Sequence, residues 1–159
     1  MTTIDRILDR RLVAILRSER GDRLVEAARA LAAGGVDCIE ITFTVPRAHQ
    51  VLEQVADALG DDVLLGAGTI LDTETARIAT LAGARYLVTP TLNTDVIELG
   101  RRYSAPVLSG ALTPTEILTA WQAGSELVKV FPSDMTGPGY LRAIHGPLRG
   151  RKRARPGAR

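Results

Sequence analysis

Six short runs of branched and apolar residues, each followed by a stretch with apolar residues at helical spacing, restrict the folds open to this chain. The runs cover residues 12–16, 36–43, 63–65, 86–89, 106–108 and 127–131. The helical stretches cover 22–33, 47–59, 73–82, 94–102, 114–123 and 138–145, and a further helix at about 3–10 precedes the first run. Regular alternation of this kind predicts parallel strands joined by crossover helices. The runs are apolar on both faces, as strands covered on both sides must be. Ala33-Gly34, Ala82-Gly83 and Ala123-Gly124 each close a helical stretch just before a run, where glycine can take the left-handed cap conformation. Those glycines lie 49 and 41 residues apart, two strand-plus-helix units each time. The chain therefore holds about six such units, and an eightfold barrel needs roughly 200 residues or more.

Composition narrows the function classes. No apolar run approaches the roughly 20 residues of a membrane helix, and MTTIDRILDRR lacks the apolar core of a signal peptide. One cysteine, Cys38, excludes an internal disulfide and cannot alone build a zinc site. A soluble, cytoplasmic protein is expected, with no membrane partner. The net charge of +2 conceals an uneven distribution: RGRKRARPGAR, residues 149–159, holds six of the 20 basic residues and no acid, leaving 14 basic against 18 acidic groups in residues 1–148. Domain 1–148 is thus acidic overall and 149–159 reads as a solvated basic tail. The tail has no interleaved aromatics, so no nucleic-acid partner is expected; such binding would be salt-dependent and lost on deleting the tail.

Functional groups in parallel α/β folds gather at the carboxyl ends of the strands. Those ends carry Arg17, then Glu40 with Thr42 and Thr44, Gly66-Ala67-Gly68-Thr69, Thr89-Pro90, Ser109-Gly110, and Lys129 with Phe131. Lys129 is one of only two lysines and lies inside Leu127-Val128-Lys129-Val130-Phe131-Pro132. An ammonium buried in a strand is costly unless paired or deprotonated, and deprotonation makes the amine a nucleophile. Glu40, inside Cys38-Ile39-Glu40-Ile41-Thr42-Phe43, is costly for the same reason. An amine, a carboxylate, a guanidinium and hydroxyls suffice for chemistry on an anionic carbonyl compound. Structural alternatives remain beside this: a lysine whose charge reaches water, a Glu40–Lys129 ion pair, Arg17 paired with a neighbouring acid, Thr69 in a strand-to-helix turn near an N-cap, and Pro90 and Phe131 as packing.

Leu12-Val13-Ala14-Ile15-Leu16-Arg17, Ile39-Glu40-Ile41-Thr42-Phe43-Thr44, Gly66-Ala67-Gly68-Thr69, Thr113-Pro114-Thr115-Glu116, and Lys129-Val130-Phe131-Pro132 followed by Gly137-Pro138 occur in that order. In this respect the sequence resembles the 2-keto-3-deoxy-6-phosphogluconate (KDPG) and 4-hydroxy-2-oxoglutarate (KHG) aldolases, over nearly all of residues 10–148. The resemblance implies an α/β fold of the (β/α)8 TIM barrel family, here incomplete. It also implies a homotrimeric class I aldolase without metal or cofactor, acting on a small 2-keto acid. In that role Lys129 is the Schiff-base lysine and Glu40 the acid/base. Arg17 is similar to a position near the substrate carboxylate, Thr69 to a hydroxyl beside the site, and Pro90 and Phe131 to pocket walls.

Two departures accompany the resemblance. Thr44 stands where some members of the family carry an arginine. Past Gly146-Pro147, where the family continues with a seventh strand bearing a Pro-Thr-Gly-Gly turn and an eighth with a Gly-rich loop, the sequence changes to RGRKRARPGAR. The change reads as a truncation or frameshift, and impaired activity is the expectation. The alternative is an inactive fragment that associates with an intact paralogue.

Overall fold

The computed structural model describes residues 1–148; the expected basic tail, 149–159, lies outside the described residues. Strands and helices alternate as α1 (Thr3–Arg10), β1 (Ala14–Leu16), α2 (Leu24–Ala33), β2 (Cys38–Thr42), α3 (Ala48–Leu59), β3 (Leu64–Gly68), α4 (Thr73–Leu81), β4 (Tyr86–Val88), α5 (Thr94–Arg102), β5 (Val107–Ala111), α6 (Pro114–Ala123), β6 (Leu127–Val130) and α7 (Gly137–Leu148), with a 3-10 turn at Gly60–Asp62. The strands pair in parallel in sequential order, β1 through β6. Crossovers of one hand between sequential strands place their helices on a single face, which winds a sheet into a barrel and not into a doubly wound sandwich. Among the described residues no helix is long and apolar enough to cross a membrane.

The strands separate two cores by simple alternation. Ile39, Ile41, Leu65, Ala67, Leu87 and Val107 point outward and pack under the helices, against residues such as Leu52, Val55 and Ile97. The intervening residues Cys38, Leu64, Tyr86 and Val88 point inward and form a second cluster with Ile4 and Ile7 of α1. The helix α1 thus floors the interior at the amino ends of the strands, leaving the carboxyl ends for polar groups.

The strand boundaries differ from expectation in one instructive way. β3 runs on through Gly66-Ala67-Gly68 and β5 through Ser109-Gly110-Ala111, segments whose glycines resemble turn signals. A Cβ on Gly66 would lie 2.2 Å from Cζ of Tyr86, and one on Gly110 would lie 2.3 Å from the Pro90 backbone carbon. These glycines mark close approach inside a strand, not its end. A second correction concerns the caps. Gly83 and Gly124 are left-handed as expected, at φ 100° and 101°, but Gly34 has φ −80° and the left-handed residue there is Gly35, at φ 87°.

Beside the apolar packing of Ile4 and Ile7, ion pairs also tie α1 to the barrel. Thr2 and Asp5 form a capping box at its start. Arg6 and Arg10 then converge on Asp37, at 3.0 Å each, and Arg6 also donates to the Asp61 and Asp62 carbonyls. Desolvation pushes the Asp37 carboxyl up, but hydrogen bonds and charge from Arg10 and Arg6 outweigh it and hold the group below its ordinary range. A depressed carboxylate stabilises the fold above its unfolded pKa and loses that contribution as pH falls through its folded value. Asp37→Asn is therefore expected to cost on the order of 1–2 kcal/mol in denaturant unfolding at pH 7, with the gap to the parent protein closing as pH falls below the ordinary carboxylate range.

Candidate active site

Glu40 sits mid-strand in β2 on the inward face, between Cys38 and Thr42, and is 3 % exposed. Its space is made by Gly68 on the neighbouring strand: a Cβ there would lie 1.7 Å from Oε1 of Glu40. Among the described residues the carboxylate makes no hydrogen bond and no ion pair within 4.0 Å. Burial pushes its carboxyl above the ordinary carboxylate range, more than the charges of Lys129 and Arg17 pull it down. Such a carboxyl is poised to hold a proton and give it up.

Lys129 lies in β6 opposite Gly110. It shares the inward face with Leu127, which packs on the interior cluster. Its Nζ stands 5.0 Å from the centre of the Phe131 ring. The expectation of an amine sunk in a dry strand is corrected here. All four residues of β6 are half-buried, because among the described residues β6 pairs with β5 alone. The structural ion pair with Glu40 is not formed either, although the Lys129 charge reaches Glu40 through the interior. Arg17 follows β1 directly, is exposed, and forms no ion pair among the described residues, while its charge also acts on Glu40.

Thr69 follows Gly68 with φ 58°, a left-handed conformation that is costly for a β-branched residue and that tends to occur at functional sites. The N-cap of α4 is Asp72, which accepts from the Thr75 amide at 2.6 Å, so the N-cap reading of Thr69 is set aside. Pro90 is half-buried just past β4, its backbone against Gly110, and Phe131 is 42 % exposed beside Lys129. Thr42 is fully buried and its hydroxyl lies 2.8 Å from that of Thr44. Glu40, Thr69, Pro90, Lys129 and Phe131 therefore gather at the carboxyl ends of the strands, with Arg17 at the rim. One interior polar residue escaped the sequence reading: Tyr86, whose ring covers Gly66. The only sequence signal for it is a bulky aromatic one strand away from two closely spaced glycines. Among the described residues no three His, Cys, Asp or Glu side chains could together hold a metal ion.

The sequence matches the family model for KDPG and KHG aldolase over residues 4–153. It is similar to a 2-dehydro-3-deoxy-6-phosphogalactonate aldolase of Escherichia coli K12, 36% identical over 137 residues that cover 86% of this chain and 67% of the relative. A 2-dehydro-3-deoxy-phosphogluconate aldolase of Treponema pallidum is 37% identical over 86% of this chain and 65% of its own length. The chain spans about two thirds of the length of these curated relatives. Among solved structures, a KDPG aldolase from Legionella pneumophila with pyruvate captured as a covalent carbinolamine superposes with a TM-score of 0.76 at 26% identity, covering 84% of this chain and 65% of that one.

The buried carboxyl has a thermodynamic signature. Because its folded pKa is raised, the penalty for ionising Glu40 is absent below its unfolded pKa and complete above its folded one. Glu40→Gln is expected to raise the melting temperature at pH 8 and to leave it unchanged below about pH 4, as differential scanning calorimetry would register.

Proposed function

The chain belongs to the KDPG and KHG aldolase family, and from that premise we propose that it acts as a class I aldolase, with Lys129 as the Schiff-base nucleophile and Glu40 as the acid/base. The observation that carries this reading is the joint placement of an amine and an elevated carboxyl on one inward face, with the charge of the amine acting on the carboxyl.

Nζ of neutral Lys129 attacks the ketone carbon of a 2-keto acid, and the resulting carbinolamine loses water to give a protonated imine. Glu40 supplies the proton that lets water leave. The imine then draws in the electron pair of the bond between its α-carbon and the hydroxyl-bearing β-carbon as that bond breaks, while Glu40 takes the proton from the β-hydroxyl group, whose oxygen becomes the aldehyde carbonyl. An aldehyde leaves, and the enamine that remains is reprotonated and hydrolysed to pyruvate and free amine. The half-buried setting of Lys129 suits this cycle, since water must both leave and return.

Arg17 meets the substrate carboxylate in this proposal; its exposed position just after β1 and a guanidinium that matches two oxygens support that role. Thr69 offers a hydroxyl beside the reacting carbons, and Pro90 and Phe131 wall the pocket. The substrate class is a 2-keto-3-deoxy sugar acid 6-phosphate, of the gluconate or galactonate series, or 4-hydroxy-2-oxoglutarate. A homotrimer in the cytoplasm belongs to the same proposal, on the strength of the family.

Borohydride added with pyruvate should fix a stable secondary amine on Lys129. Assignment by mass spectrometry is simple because the only other lysine is Lys152. Lys129→Ala should abolish the adduct, and Glu40→Gln should slow it by about 10²-fold or more. Gly68→Ala, whose Cβ would lie 1.7, 2.4 and 2.8 Å from Oε1, Cδ and Cγ of Glu40 and so displaces the outer half of that side chain, should slow adduct formation while the protein stays folded by circular dichroism. An adduct confined to Lys152, or none at all, would overturn the assignment.

A further inference from the structure

The Tyr86 hydroxyl is buried, and no group among the described residues pairs with it. A buried phenol without a partner is destabilising relative to its pairing, whereas phenylalanine would fill nearly the same volume without that penalty. The interior nonetheless makes room for this ring. A side chain on Gly66 would strike Cζ at 2.2 Å and Cε2 at 2.3 Å.

Glu40 and Tyr86 reach the same strand from opposite sides. Glu40 pairs in register with Gly66 and leans over Gly68, while Tyr86 pairs with Gly66 and lies over it. Gly66 and Gly68 are successive inward positions, about 6.6 Å apart along a strand. The phenol ring and the carboxylate are thus adjacent tenants of one glycine-lined space. One is a buried hydrogen-bond donor without an acceptor, the other a carboxylate that accepts no hydrogen bond from the described residues. The groups facing this space from the packed elements are Lys129 of β6, Arg17 after β1, Cys38 of β2 and Tyr86 of β4; Thr42 already bonds to Thr44. Cys38, a thiol, is the poorer acceptor of the two within Tyr86's field.

We propose that Tyr86 is a positioning residue for Glu40: its hydroxyl donates to the ionised carboxylate, either by a small rotation of the Glu40 side chain or through one water, and holds it toward the Lys129 side of the interior. The inference rests on the assignment of Glu40 as the acid/base for its functional meaning, but the contact itself is independent of turnover. The donor favours the ionised form and so offsets part of the burial that drives the Glu40 carboxyl upward.

The test is a carboxyl titration of Glu40 by carbon-13 NMR in glutamate-labelled protein, in parent and Tyr86→Phe forms. Loss of the donor should raise the Glu40 midpoint by roughly one pH unit; an unchanged midpoint would overturn the proposal. A reciprocal measurement does not require the Tyr86 variant to fold. In the Glu40→Gln protein the carbon-13 signal of Tyr86 Cζ should move, while those of Tyr103, stacked under Arg77, and Tyr140, bonded to the Leu112 carbonyl, stay fixed. Equal displacement of all three, or of none, would sink the contact. Borohydride trapping on the parent protein separately decides the aldolase reading. Where trapping succeeds, Tyr86→Phe should displace the acid limb of the trapping rate against pH in the same direction as the NMR midpoint.

Discussion

Everything at the carboxyl ends of these strands depends on keeping one charged side chain inside a space that apolar packing would otherwise close. Alternation sends every second residue of each strand inward, and in β2 one of those residues is Glu40. A carboxylate of that size can occupy the interior only where the facing strand has no side chains of its own. Gly66 and Gly68 on β3 meet that need, and Gly110 on β5 lets the chain at Pro90 close in on the far side. The apolar floor of Ile4, Ile7, Cys38, Leu64 and Val88 sits below, so the polar layer lies at one end of the interior and not at its centre. The raised carboxyl follows from this architecture, as does its sensitivity to the two cations that act on it from β6 and from the end of β1.

Much of this was legible in the sequence. Six apolar runs and seven helical stretches appear as six strands and seven helices, with most boundaries within two residues, because hydrophobic period and capping chemistry act locally. The clearest misreading, the early stops of β3 and β5, has a physical origin. Glycine normally signals a turn because it weakens strands, but here its lack of a side chain is demanded by Tyr86, Glu40 and Pro90 on other strands. That requirement is long-range, so no local window contains it. Gly34 and Gly35 illustrate the opposite limit: both can cap α2, and only the completed turn selects the second.

The site was legible in identity but not in state. Lys129 and Glu40 stand out by the cost of placing them in apolar runs, and both do face inward. Whether they pair, and how dry each is, depends on strand register and on the number of neighbours each strand acquires. Glu40 on β2 is flanked on both sides and buried, while Lys129 on β6 is not. Tyr86 left no comparable trace, since a tyrosine at the start of an apolar strand looks like any core aromatic until the glycine opposite it is known.

The vacancy carved by Gly68 carries a lesson for redesign of this scaffold. Under the proposed assignment, libraries that diversify Pro90 and Phe131, the pocket walls, and Thr69 beside them are the ones expected to retune which aldehyde is accepted. A library that also varied position 68 would displace Glu40, the proposed proton carrier, before any new specificity could be scored. Directed evolution toward unfamiliar electrophiles should therefore leave the backbone-only patch of β3 untouched and seek its diversity on the loops after β1, β4 and β6.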